Sequence, residues 1–517
     1  MTASWTKDVF DLVCIGGGVG GLVAASAAAQ LGARVALVEK TKALGGDCVH
    51  WGCVPTKALV RAGKIASLLR RAGEFGIRTG DGLVEVDFPA VMRRMRHVQE
   101  QAAELDRPER FQKMGVEVVF GAGRFLSPHI FEVGDRRLAG RRFLVATGSR
   151  PIIPPIPGIE TIEPHTNETI LRLDRLPRSL LVIGAGPIGL ELAQVFARLG
   201  TKVIVLEKMG QVLPREDEEL AATLQAALEA EGIEIHTCVD IEASRRAGGK
   251  RCVEANCKLG GRRTFEAEEV LFAIGRAPNI EGLGLEAAGV RIEKKGIPVD
   301  ARMRTNVPHI FAVGDVTGLF PFTHMAEYEA GIAVANALFP AIGRRADFRA
   351  LPWVTFTDPE LARAGLTEAE AREKHGDSVR AYRFEIERFD RAMIEGETRG
   401  LLKIVCSKKG KILGAHILAP DGGEILQEYV LAMAQRLPIG AIARTIHPYP
   451  ALVQAAKRAA EQYYREKLFC GRAAKIARAL VRFGRLFGRG ALRAEIEAAP
   501  PRLAAQAKEA RPANMPR

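Results

Sequence analysis

A chain of 517 residues exceeds what one hydrophobic core holds and implies roughly three or four domains. It contains no apolar run of roughly 18 residues or more, so no membrane span is expected. Formal charge is +13, but residues 471–517 hold eleven Lys/Arg against three Glu and carry +8 of it. The excess belongs to a tail, and with no zinc-finger spacing or RNA-binding sheet motif beside it a nucleic-acid partner is not expected.

Residues 1–10 include Asp8 and lack the basic start and apolar core of a signal peptide. The span Asp8 to Ile15 reads as an apolar strand, and Gly16, Gly18 and Gly21 follow at G-x-G-x-x-G spacing. An alanine-rich helical run to Leu31 and a strand Arg34–Val38 ending in Glu39 complete the unit. Gly16 permits the turn, Gly18 lets a pyrophosphate reach the helix N-terminus, Gly21 allows close packing, and Glu39 can accept bonds from ribose hydroxyls. Dinucleotide binding follows. Next comes Gly45-Gly46-Asp47-Cys48-Val49-His50-Trp51-Gly52-Cys53-Val54-Pro55-Thr56-Lys57. Four residues separate Cys48 from Cys53, close enough for a reversible disulfide, and beside a dinucleotide motif the pair reads as a redox-active dithiol next to a flavin.

Helices are expected over about Lys57–Arg71 and over 88–114, where Met92, Met95 and Val98 pack. Leu144–Arg150 is a strand with a turn at Thr147-Gly148, and the proline-rich 151–157 marks a domain crossing. The glycine motif then repeats as Gly184, Gly186 and Gly189, with Glu207 closing its second strand, all at a shift of 168 residues. Glu207 suits a free ribose 2′-hydroxyl and repels a 2′-phosphate, which favours NAD(H) over NADP(H), although Lys208 beside it keeps NADP(H) open. Strand candidates lead to Gly275-Arg276. Ile310 to Asp315 reads as strand, turn and acid, with Asp315 as a polyol contact or an N-cap, and a helix follows over 323–339 with His324 as a structural hydrogen-bonding residue. The last domain, about Leu351 to Tyr464, offers strands Arg380–Ile386, Gly400–Cys406 and Lys411–His416 and helices Gly423–Leu437 and Pro450–Tyr464. It has no glycine fingerprint, and packing against a second subunit is its expected role.

Eight cysteines in this length make no disulfide scaffold, and a catalytic thiol pair fits the reducing cytoplasm. Neither His-Glu-x-x-His nor close Cys-x-x-Cys pairs occur, so no metal site is expected. In the tail, seven basic residues run from Arg472 to Arg493 without an acid. Ile476, Leu480, Phe483 and Phe487 cluster apart from them, a pattern suited to an anionic membrane surface at its inner face or to an acidic partner. Gly484, Gly488 and Gly490 weaken that helix, and 498–517 reads as flexible.

The cysteine block, both fingerprints, Ala146-Thr147-Gly148, Ala273-Ile274-Gly275-Arg276 and Val313-Gly314-Asp315 stand in one order. On these motifs residues 8–464 resemble the FAD-dependent pyridine nucleotide-disulfide oxidoreductases, the group containing dihydrolipoamide dehydrogenase, glutathione reductase and mercuric reductase. Phe322-Thr323-His324-Met325-Ala326 and Thr355–Glu360 look most like a mercuric-reductase-like branch. The resemblance implies an α/β chain with two Rossmann-like nucleotide-binding domains and a C-terminal α+β dimerisation domain. Its segments would be FAD domain 1–151, NAD(P) domain 152–277, returning FAD segment 278–349, dimerisation domain 350–466 and tail 467–517. It further implies FAD, a homodimer, a small disulfide or dithiol substrate, Cys53 as flavin-side thiolate, Cys48 as exchange thiol, and Lys57 and Glu191 as a pair near the flavin.

One departure stands out. Thiol-substrate members place a His–Pro–Thr turn and a Glu across the dimer interface, and here Tyr449, Ala451 and Gln454 occupy the His, Thr and Glu places. A neutral Tyr, with a reference pKa near ~10, is a poor base, and His447 lies two residues away. Slow or absent dihydrolipoamide turnover is therefore expected. Mercuric reduction, dihydrolipoamide oxidation with an altered base, and quinone or metal reduction stand as alternatives, as does a redox-sensing binding protein. Against mercuric reduction, only Cys470 lies near the C-terminus where that enzyme has a vicinal pair.

Overall fold

The computed structural model describes residues 9–78, 84–258, 260–341, 343–470 and 474–485. Expectations placed on Asp8, Arg472, Phe487, Gly488, Arg489, Gly490, Arg493 and 498–517 lie outside these residues.

Two parallel sheets repeat one plan. In the first, strands run in the order Ile310–Ala312, Phe143–Val145, Leu12–Ile15, Val35–Glu39 and Val116–Phe120. In the second the order is Phe272-ended Glu269–Phe272, Ser179–Ile183, Lys202–Leu206 and Glu234–His236. In the first sheet the central strands Leu12–Ile15 and Val35–Glu39 are buried along their whole length, and in the second Ser179–Ile183 is buried from Leu180 onward. Helices cover one face of each sheet and a smaller sheet covers the other, built from Val9–Phe10 and the strands of 123–140 in the first unit and from the strands of 239–267 in the second, so strands buried on both faces read as continuous apolar runs without alternation. The outermost strand of the first sheet, Ile310–Ala312, arrives after the second sheet is complete, and helix Thr323–Leu338 then packs on helix Val19–Gln30. The chain thus returns to its first nucleotide unit. The two crossings run side by side, Ser149–Pro151 pairing antiparallel with Arg276–Pro278.

The C-terminal sheet is antiparallel, in the order Pro352–Thr355, Glu360–Gly365, Ile412–Ala419, Leu401–Ser407, Val379–Glu385. Helices Gly422–Ala434 and Gln454–Phe469 cover one face, where the fully buried Tyr429 donates to the Ala456 carbonyl at 2.7 Å. Lys403 projects toward the second nucleotide unit and meets Asp217 at 2.8 Å, with Glu219 and Glu368 at 3.0 Å.

Several element bounds differ from expectation. The helix expected from Lys57 starts at Cys53 and ends at Arg70, and a one-turn helix Gly46–His50 precedes it. The span 88–114 is two helices, Phe88–Glu104 and Pro108–Lys113, because Pro108 opens the second at a position that needs no N–H. Met92 and Met95 are buried as expected. Strands Pro352–Thr355 and Glu360–Gly365 and helices Glu368–His375 and Ile439–Arg444 were not foreseen. Residues 474–485 are helical and include Gly484. Among the described residues no helix is long and apolar enough to cross a membrane.

Candidate active site

The first glycine loop forms an open cradle. A Cβ on Gly16 would meet the Ala146 carbonyl oxygen at 2.3 Å, and one on Gly21 would meet the Gly16 oxygen at 1.8 Å, so both are packed against backbone. A Cβ on Gly18 would meet nothing nearer than Gly46 Cα at 3.7 Å. Helix Val19–Gln30 starts there with no side chain capping its free N–H groups. Bare amides facing open space at a helix N-terminus fit a pyrophosphate. The second loop matches it. Gly184 and Gly189 are pressed onto backbone, Gly186 is open with Ala273 O at 3.9 Å, and helix Pro187–Leu199 is likewise uncapped. Both closing acids do a further job that sequence reading missed. Glu39 accepts from the Gly17 and Thr41 amides at 2.7 and 2.8 Å, and Glu207 accepts from Ala185 and Met209 at the same distances. Each acid thereby fixes its own loop.

The cysteine segment lies directly on the first cradle. The Gly45 amide donates to the Gly17 carbonyl at 2.9 Å, and a Cβ on Gly46, which has φ +61°, would stand 2.7 Å from Gly18 Cα. Cys48 sits in the one-turn helix and Cys53 opens helix Cys53–Arg70. Gly52 between them keeps the turn tight, since a Cβ there would stand 3.2 Å from Cys48 Cα. Both sulfurs are free thiols. The Cys48 thiol donates to Cys53 sulfur, and that bond, with Lys57 and the Thr323 hydroxyl, holds the Cys53 thiol down at about 6. The same bond and burial push Cys48 up. Cys53 is therefore the thiolate of the pair near neutral pH. Thr323 Oγ1 lies 3.7 Å from Cys53 Sγ, at the start of helix Thr323–Leu338.

Lys57 Nζ meets Glu191 Oε2 at 2.6 Å and lies over the Phe356 ring, 4.7 Å from its centroid. Glu191 is buried, and its other oxygen accepts from the Phe356 amide at 2.9 Å. One carboxylate thus ties the cysteine helix, the second nucleotide helix and the C-terminal domain.

Asp315 caps no helix. It accepts from Ser149 Oγ at 2.5 Å, and Arg276 donates to that same Oγ at 2.7 Å while meeting Asp47 at 3.1 Å. Burial raises the Asp315 carboxyl. Thr147 and Asn279 exchange hydrogen bonds across the domain crossing at 2.7 and 2.9 Å, and Gly148 and Gly275 turn there at φ +68° and +148°. Behind Asp315, Glu329 is fully buried and accepts from the Gly314 amide at 2.7 Å, and its second oxygen has no hydrogen-bond partner among the described residues. Burial, then the neighbouring Asp315, push it up to about 7. Asp47, Ser149, Arg276, Thr323 and Glu329 were not singled out for the site from sequence. Their side chains join it from four separate segments, so spacing carried no signal, although Asp47, Ser149 and Arg276 each adjoin a residue already singled out, Cys48, Gly148 and Gly275.

His324 is structural, with Nε2 2.8 Å from the Pro352 carbonyl and its ring stacked on Phe322. Tyr449 and His447 lie apart from the cysteines in their hydrogen bonding. Tyr449 is 64% exposed and donates to Asp390 Oδ2 at 2.8 Å. The His447 side chain is buried, with Nε2 at 2.9 Å from Glu428 Oε2 and Nδ1 at 2.9 Å from the Thr445 carbonyl. Among the described residues no group of three or more His, Cys, Asp or Glu could hold a metal ion.

Two dinucleotide cradles flanking a thiol–thiolate pair define a flavin- and nicotinamide-linked thiol oxidoreductase. The chain belongs to the pyridine nucleotide-disulphide oxidoreductases: the family model matches residues 10–330, and the family's dimerisation domain matches 351–460. It is an FAD-dependent enzyme that uses a pyridine nucleotide and a disulfide or dithiol substrate. It is 35% identical over 471 residues to a mercuric reductase of Streptomyces lividans, covering 89% of this chain and 98% of that one. It is 36% identical over 467 residues to a dihydrolipoyl dehydrogenase of Thermus scotoductus, with the same shares. The Cu(II) complex of the HOCl-induced flavoprotein disulfide reductase RclA from Escherichia coli superposes with a TM-score of 0.78 at 28% identity, covering 88% of this chain and 99% of that one.

Proposed function

We propose that the enzyme draws electrons from NADH and reduces a small disulfide through Cys48 and Cys53, in the cytoplasm, as a homodimer. The observation that carries this reading is the cysteine segment seated on the first cradle, the Gly45 amide donating to the Gly17 carbonyl at 2.9 Å, with Thr323 Oγ1 3.7 Å from Cys53 Sγ. Gly16, Gly18, Gly21, Glu39 and Asp315 would hold FAD, which when bound converts two-electron nicotinamide chemistry into thiol chemistry. Lys57, paired with Glu191, keeps a positive charge beside the thiolate. Cys48, once deprotonated, attacks a substrate sulfur, forms a mixed disulfide and expels one thiolate, which takes up a proton. Cys53 thiolate then attacks Cys48 sulfur, expels the second thiolate and leaves the Cys48–Cys53 disulfide for re-reduction.

Glu207 supports the choice of NADH. Its carboxylate closes the second loop where a ribose would lie, and Lys208, which could favour a 2′-phosphate, is drawn 2.9 Å from Asp240. A higher kcat/KM with NADPH than with NADH overturns the preference. Tyr449 is the better candidate to face Cys48 of the other subunit, because it is exposed while both His447 ring nitrogens are taken by oxygen acceptors. With no free imidazole there, dihydrolipoamide oxidation is slow; general base catalysis typically contributes about 10²- to 10⁴-fold. Anaerobic NADH titration tests the core reading. Uptake of two electrons with a long-wavelength thiolate–flavin absorbance supports it, and flavin bleaching with both thiols unchanged refutes it. The Tyr also favours a second reading, delivery of electrons to a thiolate-bound soft metal such as Hg(II), for which release of Hg(0) on NADH addition is the assay.

A further inference from the structure

The helix at 474–485 is not part of the machinery above. Of its residues Ala474 is buried, whereas Ile476, Leu480, Val481 and Phe483 are each more than half exposed. At 3.6 residues per turn, Lys475, Arg478, Arg482 and Arg485 fall within an arc of about 80°, and Ile476, Leu480 and Phe483 within about 60° on the other side. In the sequence Phe487 continues the apolar spacing and Arg489 and Arg493 the basic one, and no acid occurs from Arg472 to Arg493.

We propose that this segment docks the enzyme on an anionic phospholipid surface, lying in the interfacial plane. The apolar arc enters the acyl boundary while the long basic side chains reach back to lipid phosphates. Charge complementarity selects this occupant. Nucleic acid would satisfy the basic arc and leave the apolar arc in water, and a second copy of the helix would cover the apolar arc and leave the basic arc without an anionic partner. Each Lys or Arg near an anionic leaflet adds attraction that salt screens. Two tails per dimer add avidity. The inference is independent of the substrate reading.

The test uses the FAD-loaded full chain in a flotation assay with vesicles of phosphatidylcholine alone or mixed with phosphatidylglycerol. Binding to the mixed vesicles only is expected, weakening in salt. A combined Arg478→Gln, Arg482→Gln, Arg485→Gln variant weakens it by about tenfold or more. An Ile476→Ser, Leu480→Ser variant loses it too, while NADH-driven turnover in solution and the dimeric size stay unchanged. Truncation after Cys470 serves as the control should either variant misfold. Equal binding to both vesicle types, no binding by the unaltered enzyme, or full binding by the variants overturns the proposal. So does dissociation of the dimer in the variants, which assigns the helix to the subunit interface.

Discussion

At the residue scale, the central feature is the division of labour between Cys48 and Cys53. The hydrogen bond between them lowers Cys53 most, with Lys57 next and Thr323 after it. The Cys53 thiolate is accordingly present above about pH 6 and lost below it. In the dithiol enzyme the long-wavelength absorbance should titrate with a midpoint near that pH. Cys48→Ala should move the midpoint upward, Lys57→Met should do so as well, and Thr323→Val should move it least. A midpoint that ignores all three contradicts the assigned causes. Glu329 supplies a second residue-level test. Its raised folded-state pKa of about 7 means that the native protein keeps a proton which the unfolded chain loses from its usual 4.5 upward. Stability contributed by that proton therefore falls as pH rises through this window, by roughly 3 kcal/mol in all. Glu329→Gln keeps an acceptor for the Gly314 amide, so it should melt with the parent near about pH 5 and above it near about pH 8. A melting difference that stays constant across that range removes Glu329 as the cause.

At the scale of elements, the glycine loops separate folding from binding. Gly21→Ala drives a Cβ into the Gly16 carbonyl and should destabilise the fold, seen as a lower melting temperature of the apoprotein. Gly18→Val places its side chain in open space and should leave that melt nearly unchanged while flavin is lost on gel filtration. Gly186→Val should retain flavin and lose nicotinamide saturation. A Gly18→Val protein that retains flavin shows that the cradle holds something else. Both loops were legible in the sequence because turn, helix start and closing acid are local in the chain. The start of helix Cys53–Arg70 was not. Its N-cap is Gly52 without a capping side chain, and Pro55 lies inside its first turn, so the usual signals pointed downstream. Strand Pro352–Thr355 was obscured by its opening proline, and strand Glu360–Gly365 by Arg363, whose guanidinium is buried through bonds to the nearby Gly365 carbonyl and Glu370 and to the distant Arg215 carbonyl.

For the whole molecule, the question is what approaches Cys48 from the second subunit. If Tyr449 serves the other subunit's cysteines, a Cys48→Ser subunit paired with a Tyr449→Phe subunit contains one complete site. Such mixed dimers should recover activity absent from the Cys48→Ser dimer and exceed the Tyr449→Phe dimer, whose own loss should be several-fold. Mixed dimers no better than the average of their parents exclude sharing across the interface. Tyr449→His tests the same arrangement from the other side and should raise dihydrolipoamide turnover by restoring a base.

By itself the sequence determined the two cradles and the thiol pair, since repeated motifs and short spacings encode them locally, whereas Lys57 and Glu191, 134 positions apart, were linked only through the family resemblance. The resemblance named Cys53 as the thiolate, and tertiary structure supplied the physical cause of that choice. That choice rests on the Cys48 hydrogen bond, on Lys57 one helical turn along and on Thr323, a residue 270 positions away. Tertiary structure also decided that Asp315 is bound through Ser149 and Arg276 rather than capping a helix, and that His447 is engaged by Glu428 while Tyr449 is open. Hydrogen bonds and charge act through space within a few ångströms, and only folding sets which distant residues come that close.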